Sequence, residues 1–268
     1  MSWHDRMKAE QRRLGRGRRF QAADVYASVP TTWMQAASRT LDPAAFRVFW
    51  LANAAWVPSH RTGERGRAVL GYGAIRNPSP RSRCQDNAPP PGRTAIAAGL
   101  RTSIHAGFLE LAQAGSRPRG QAGARGHAAE YFVPCREAGA MLPPVAAHLP
   151  RMGGKVRLHS ELMRDLAAKL SGQALRLLGM LISRGHRDAS GALVDATPLE
   201  CSVTELAQLL DMPRSSVADA LHELQAKGQL EVEIPGKGRR PARYRLNARF
   251  VAFSKRPRRD PLPAAGVI

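Results

Sequence analysis

The first strong helical period along the chain runs from Leu41 to Val57. Apolar side chains recur at Phe46, Phe49, Trp50 and Val57, with Asn53 between, the spacing of one helical face. Asp42 stands where a side chain accepts hydrogen bonds from the free N–H groups of a first turn. Pro43 suits the first helical position, and Leu41 is placed to staple onto Phe46. Pro58 stops the period. Residues 68–75 (AVLGYGAI) predict a short strand, residues 94–114 a helix, and Ala129 to Val133 (AEYFV) a second strand. An Arg-, Pro- and Ser-rich loop precedes that helix and runs to Gly92.

The carboxyl-terminal half is patterned more sharply. Ser160 opens a helix with Leu162, Leu166 and Leu170 on one stripe, and Ser171 caps another with Leu175, Leu178 and Ile182. Ser202-Val203-Thr204-Glu205 has the form of a capping box, worth about 1 kcal/mol. The helix it opens carries Leu206, Leu209 and Leu210. A break at Asp211-Met212-Pro213 leads to a helix with Val217, Leu221 and Leu224 inward, ended by Gly228. Leu230, Val232 and Ile234 then alternate with Glu231 and Glu233 as a half-buried strand. After the turn PGKGRRP, Tyr244 and Leu246 alternate with Arg243 and Arg245 in a returning strand. Between the halves, Pro134, Pro143, Pro144, Pro150, Gly153 and Gly154 predict a linker. The chain is thus expected to comprise a disordered basic arm (1–30), a first domain (31–135), a linker (136–157), a second domain (158–250) and a disordered basic tail (251–268).

Charge narrows the partners. Forty-one basic against 21 acidic side chains give the 268 residues a formal charge of +20. The excess is spread along the whole length: +4 in residues 1–30, +8 in 31–150, +5 in 151–250 and +3 in 251–268. Such a surface attracts polyanions, nucleic acid first among them, without saying where they bind. Thirty-five of the basic residues are Arg, in a chain also rich in Ala, Gly and Pro, a bias that GC-rich coding produces by itself.

Other classes of protein find no footing in the residues. The longest apolar run, 41–57, contains Asp42 and Arg47, so no transmembrane helix is expected, and the first 20 residues lack the apolar core of a secretory signal. The three cysteines, Cys84, Cys135 and Cys201, are far apart and the eight histidines are scattered. That pattern predicts reduced thiols in a cytoplasmic protein with no metal and no cofactor. Gly153-Gly154-Lys155 lacks the rest of a phosphate-binding loop, and Gly71-Tyr72-Gly73 is too short for a dinucleotide fingerprint. With no nucleophile elbow, no clustered carboxylates and no tyrosine beside a histidine pair, no enzymatic chemistry is expected.

The order helix, helix, short break, helix and a hairpin with a basic tip, carried by residues 203–246 and the helix before them, resembles the winged helix-turn-helix of bacterial regulators and of plasmid and phage replication initiators. The resemblance implies a mostly α chain with small β-hairpins (α+β). A second, fainter copy is suggested by aligning SIHAGFLELAQAG (103–115) with SVADALHELQAKG (216–228), a displacement of 113, which predicts two winged helices in tandem. Within the clear copy, Pro213 replaces the Ser or Thr cap usual in the family. The resemblance implies non-enzymatic binding of double-stranded DNA by a bacterial transcriptional regulator in the cytoplasm, associated with the nucleoid. A replication initiator binding origin repeats and a protein-interaction module are the alternatives. Transcription or replication machinery and a second copy of the chain are the further partners it implies. Arg214, Ser215, Ser216, Asp219 and His222 are expected in the major groove, where an exposed helix face reads base edges. Lys237, Arg239, Arg240 and Arg243 are expected on phosphates. Arg101, Thr102 and His105 are the corresponding candidates in the first copy.

Overall fold

The computed structural model describes residues 26–59, 64–78, 88–115, 128–137, 139–149, 153–185, 199–236, 241–247 and 250. Most of the expected arm (1–25) and the whole expected tail (251–268) lie outside the described residues. The amino-terminal half runs β1 (Tyr26–Pro30), α1 (Thr31–Thr40), α2 (Pro43–Ala55), β2 (Trp56–Val57), β3 (Arg67–Leu70), α3 (Tyr72–Arg76), α4 (Arg93–His105), β4 (Glu110–Gln113) and β5 (Ala129–Phe132). Two single 3-10 turns follow. The carboxyl-terminal half runs β6 (Lys155–His159), α5 (Ser160–Lys169), α6 (Gly172–Arg184), β7 (Leu199–Cys201), α7 (Val203–Leu210), α8 (Arg214–Ala226), β8 (Leu230–Ile234) and β9 (Ala242–Leu246).

Apart from the short β2, the two halves carry the same elements in the same order. β1 and β6, α1 and α5, and α2 and α6 begin 129 positions apart, at Tyr26 and Lys155, Thr31 and Ser160, Pro43 and Gly172. α4 and α8 are both 13 residues long and begin 121 positions apart, at Arg93 and Arg214. Both end on a glycine in the left-handed region, Gly107 (φ 78°) and Gly228 (φ 62°), a conformation glycine adopts without a Cβ penalty. The next amide then donates back into the helix in both, Phe108 to Ser103 O at 2.9 Å and Gln229 to Leu224 O at 2.8 Å. Strand orders agree too: β3-β5-β4, with β2 on its outer edge, and β7-β9-β8, all antiparallel. Even the irregularity in the hairpin recurs, between Leu111 and Gln113 and between Val232 and Ile234.

The halves meet through a local two-fold. β1 and β6 pair with Tyr26 opposite His159 and Pro30 opposite Lys155, so Ser28 faces Arg157, its own counterpart. α1 packs on α6 and, reciprocally, α5 on α2, while α2 and α6 pack on each other. Gly172 permits that approach, because a Cβ there would come within 2.6 Å of Pro43 O. Arg47 and Arg176 are counterparts on these two helices, and each reaches across the junction. The Arg47 Nη2 donates to Leu170 O at 2.5 Å, beyond the end of α5, and Arg176 donates to Ser38 O at 2.9 Å and Arg39 O at 3.1 Å, at the end of α1. Each buried guanidinium thus satisfies carbonyls that a helix end leaves without partners. Burial lowers the pKa of both.

One apolar core runs through both halves, from Phe46, Phe49 and Trp50 on α2 to Leu175 and Leu178 on α6 and Leu224 on α8. The start of α2 expected from the sequence holds: Asp42 Oδ1 accepts from Ala44 N and Ala45 N, both at 2.8 Å, and Pro43 opens the helix, but the helix ends at Ala55 and Val57, expected on its face, is in β2. Other expectations need correction. Residues 26–30, assigned to a disordered arm, form β1 with Ala27 and Val29 buried, and 155–157, assigned to the linker, begin β6. The segment 68–75 is not one strand, since β3 ends at Leu70 and Tyr72 starts α3. The predicted helix 94–114 ends at His105, and Glu110–Gln113 are strand. The displacement of 113 therefore aligned a strand with the second half of a helix. It does hold for the returning strands, where Tyr131 and Tyr244 are buried counterparts on β5 and β9.

Candidate DNA-binding surface

In the carboxyl-terminal unit the pair α7 and α8 is braced from below. Ser202 Oγ accepts from Glu205 N at 3.1 Å, closing the cap that the spacing predicted. Asp211 takes a left-handed φ of 51°, and Met212 N donates to Ala207 O at 3.0 Å, which turns the chain sharply before Pro213. α8 then starts at Arg214 with no side-chain cap, as Pro213 implies. Val217, Ala220, Leu221 and Leu224 are buried against the core. Arg214, Ser215, Asp219 and His222 are exposed along the outer stripe of α8, and Ser216 is half-buried at its edge.

Two polar contacts fix the pitch of that helix pair. Glu223 on α8 accepts from Ser171 N at 2.6 Å and from Ser171 Oγ at 2.5 Å. Its carboxylate sits at the N-terminal end of α6, where a helix favours negative charge. Arg184 at the end of α6 donates to Glu205 on α7 at 3.0 Å. Neither partner is signalled by local spacing, because each lies in a different element.

The hairpin beside α8 carries a mixed charge. Arg243, expected on phosphate, donates to Glu200 of β7 at 3.0 and 2.5 Å, and Arg245 is ion-paired with Glu233 of β8. Exposed pairs of this kind are worth about 0–1 kcal/mol, weak enough for a phosphate to compete. Lys237, Arg239 and Arg240 lie outside the described residues.

In the amino-terminal unit Arg101 and His105 are exposed and Thr102 is half-buried, on the last turns of α4. The counterparts of Arg214 and Ser215 are Arg93 and Thr94, both exposed on the first turn. The sequence reading missed these two because its displacement was eight residues short. The buried thiols offer no nucleophile, since burial pushes Cys135 up to about 12 and Cys201 up to about 11. Cys84 lies outside the described residues. Among the described residues no group of His, Cys, Asp and Glu could hold a metal ion, and no helix is long and apolar enough to cross a membrane.

A braced helix pair with an exposed second helix and a flanking three-stranded sheet defines the carboxyl-terminal unit as a winged helix-turn-helix of the DNA-binding type. Residues 192–233 match the family model described as the IclR helix-turn-helix domain, found in DNA-binding regulators. The match spans β7, α7, α8 and most of β8, and it lends no support to the replication-initiator alternative. Neither the curated proteins nor the solved structures yield a match to the chain.

Proposed function

We propose that this chain is a non-enzymatic bacterial transcriptional regulator, acting in the cytoplasm on the nucleoid, that grips double-stranded DNA with two winged helices. α8 is the recognition helix of one and α4 of the other. Arg214, Ser215, Ser216, Asp219 and His222 meet base edges in one major groove. Arg93, Thr94 and Arg101 do so in the other, with His105 and Thr102 at its margin. Lys237, Arg239, Arg240 and, once freed from Glu200, Arg243 neutralise phosphates.

The observation that carries this reading is the recurrence of one topology twice, with an arginine opening both equivalent helices. A duplex has its own local dyads, so two recognition helices related by a two-fold suit two half-sites in inverted relation. Because the outer stripes of α4 and α8 differ, the two half-sites differ in sequence, and a single chain supplies both readers. Selection of bound duplexes from a random pool is the test. An enriched motif with two dissimilar halves, bound by one chain per duplex, is expected. Recovery of only one short element, or a requirement for two chains per site, would overturn the two-reader proposal.

A further inference from the structure

Beside the junction of the halves lies a cavity of about 220 Å³, walled by Val48, Ile75, Pro89 and Ile96 and closed on one side by Arg47 and Ser171. An apolar cavity of roughly 150 Å³ already holds a one-ring hydrocarbon, so this one admits a small ring bearing one polar group. Its walls are aliphatic, and Arg47 supplies the one charge among them. Arg47 is 5% exposed, and among the described residues the hydrogen bond given for its guanidinium is to Leu170 O. Five N–H donors in a fixed fork are more than one carbonyl uses, and a carboxylate matches the fork with two parallel bonds. The acidic group that acts on Arg47 is Glu223, whose oxygens are already held by Ser171 N and Oγ.

We infer that this cavity is an effector site for a small carboxylic acid with a saturated apolar body, its carboxylate on Arg47. The coupling to DNA follows from the same residues and rests on the function proposed above. Glu223 belongs to α8, and Ser171 is both the cap of α6 and part of the cavity wall. A second anion on Arg47 repels the Glu223 carboxylate and loosens the brace that sets the pitch of α8. Occupancy therefore weakens DNA binding.

Cyclohexanecarboxylate is the probe, with cyclohexylmethanol and cyclohexylmethylammonium as neutral and cationic counterparts of like shape. For the full chain without DNA, the acid at about a hundredfold excess over its dissociation constant should raise the melting temperature by several degrees. The alcohol and the amine should not. Arg47→Met, which keeps bulk and removes charge, and Ala88→Phe, which fills the cavity from its rim, should each abolish the shift. An acid that fails to shift the unaltered chain, or a shift that survives in both variants, overturns the site. In the second arm, the acid should lower affinity for a selected duplex about tenfold, an ordinary size for coupling between two sites. Glu223→Gln should bind the acid and lose that effect. Acid binding with unchanged DNA affinity overturns the coupling. A chain that binds the acid and no duplex at all supports the site while overturning the proposed function.

Discussion

The two halves reach one topology from unlike residues, and the contrast is clearest where α4 and α8 turn inward. On α8 the core contacts are Val217, Ala220, Leu221 and Leu224; at the counterpart positions α4 has Ile96, Gly99, Leu100 and Ser103. Gly99 sits where the α2 backbone comes close, so that a Cβ would lie 2.7 Å from the Ala44 carbonyl carbon. Ser103 is buried, and its hydroxyl donates to carbonyl oxygens, Gly99 O at 2.8 Å and Ala45 O at 3.1 Å. One helix is held by interlocking side chains, the other by close backbone approach and a polar tie. Equal folds do not require equal chemistry.

The sharpest way to break that comparison is to disturb the core-facing side of both helices. Leu224→Ala opens a cavity under α8 and should cost about 2–5 kcal/mol. Gly99→Ala should destabilise by about 1–3 kcal/mol through overpacking, although alanine favours helix by about 1 kcal/mol over glycine. Urea unfolding of the full chain measures both. A Gly99→Ala variant more stable than the parent would show that α4 does not press on α2.

The same contrast explains how much of the molecule was legible in the sequence. α6 and α7 could be read because capping residues and leucine stripes agree with the fold, and α8 because its apolar stripe does so without a side-chain cap. α2 could be read for the same reason, with Asp42, Pro43 and the Phe46–Phe49–Trp50 stripe. α4 was misread because Gly99 and Ser103 remove two apolar signals, and because its stop, Gly107, lies inside a stretch of good helix formers. β1 was missed because it is completed by β6, 129 positions on. The exposed outer stripe of α8 was legible from its period alone. Arg93 and Thr94 were not, because their equivalence to Arg214 and Ser215 rests on the displacement of 121, and the Glu223 brace was not, because its partner Ser171 lies 52 positions away.

If both units read DNA, their leading arginines should behave alike. Arg214→Ala and Arg93→Ala should each weaken a selected duplex by about 1–3 kcal/mol and relax preference in one half-site only, a different half for each. Equilibrium binding to duplexes altered in either half decides. Loss with Arg214→Ala alone would leave α4 as a packing helix. The hairpins offer a gentler contrast, since residues 114–128 join β4 to β5 and only 235–241 join β8 to β9. Replacing Arg239 and Arg240 by Ala should reduce the slope of log K against log salt by about 2, equally for selected and scrambled duplexes.

The smallest expected difference lies at the central strand pair. His159 caps α5, its Nδ1 accepting from Glu161 N at 3.2 Å, whereas its counterpart Pro30 offers α1 no side-chain cap. Burial holds the imidazole pKa below its ordinary value, with Glu161 opposing that shift, Arg164 adding to it and Tyr26 edge-on at 5.3 Å. The neutral ring is therefore the form the fold prefers, and the unfolded chain binds the extra proton first. The stabilisation is complete above the ordinary histidine pKa and is lost as pH falls from there towards the lower folded value. Protonation also removes the lone pair that accepts from Glu161 N. His159→Ser keeps a capping oxygen and cannot titrate, so the urea midpoint of the parent should fall relative to that of the variant as pH drops from 8 to 5.5. A difference that stays constant over that range would mean that His159 caps α5 without sensing pH, and that the two central strands differ in sequence alone.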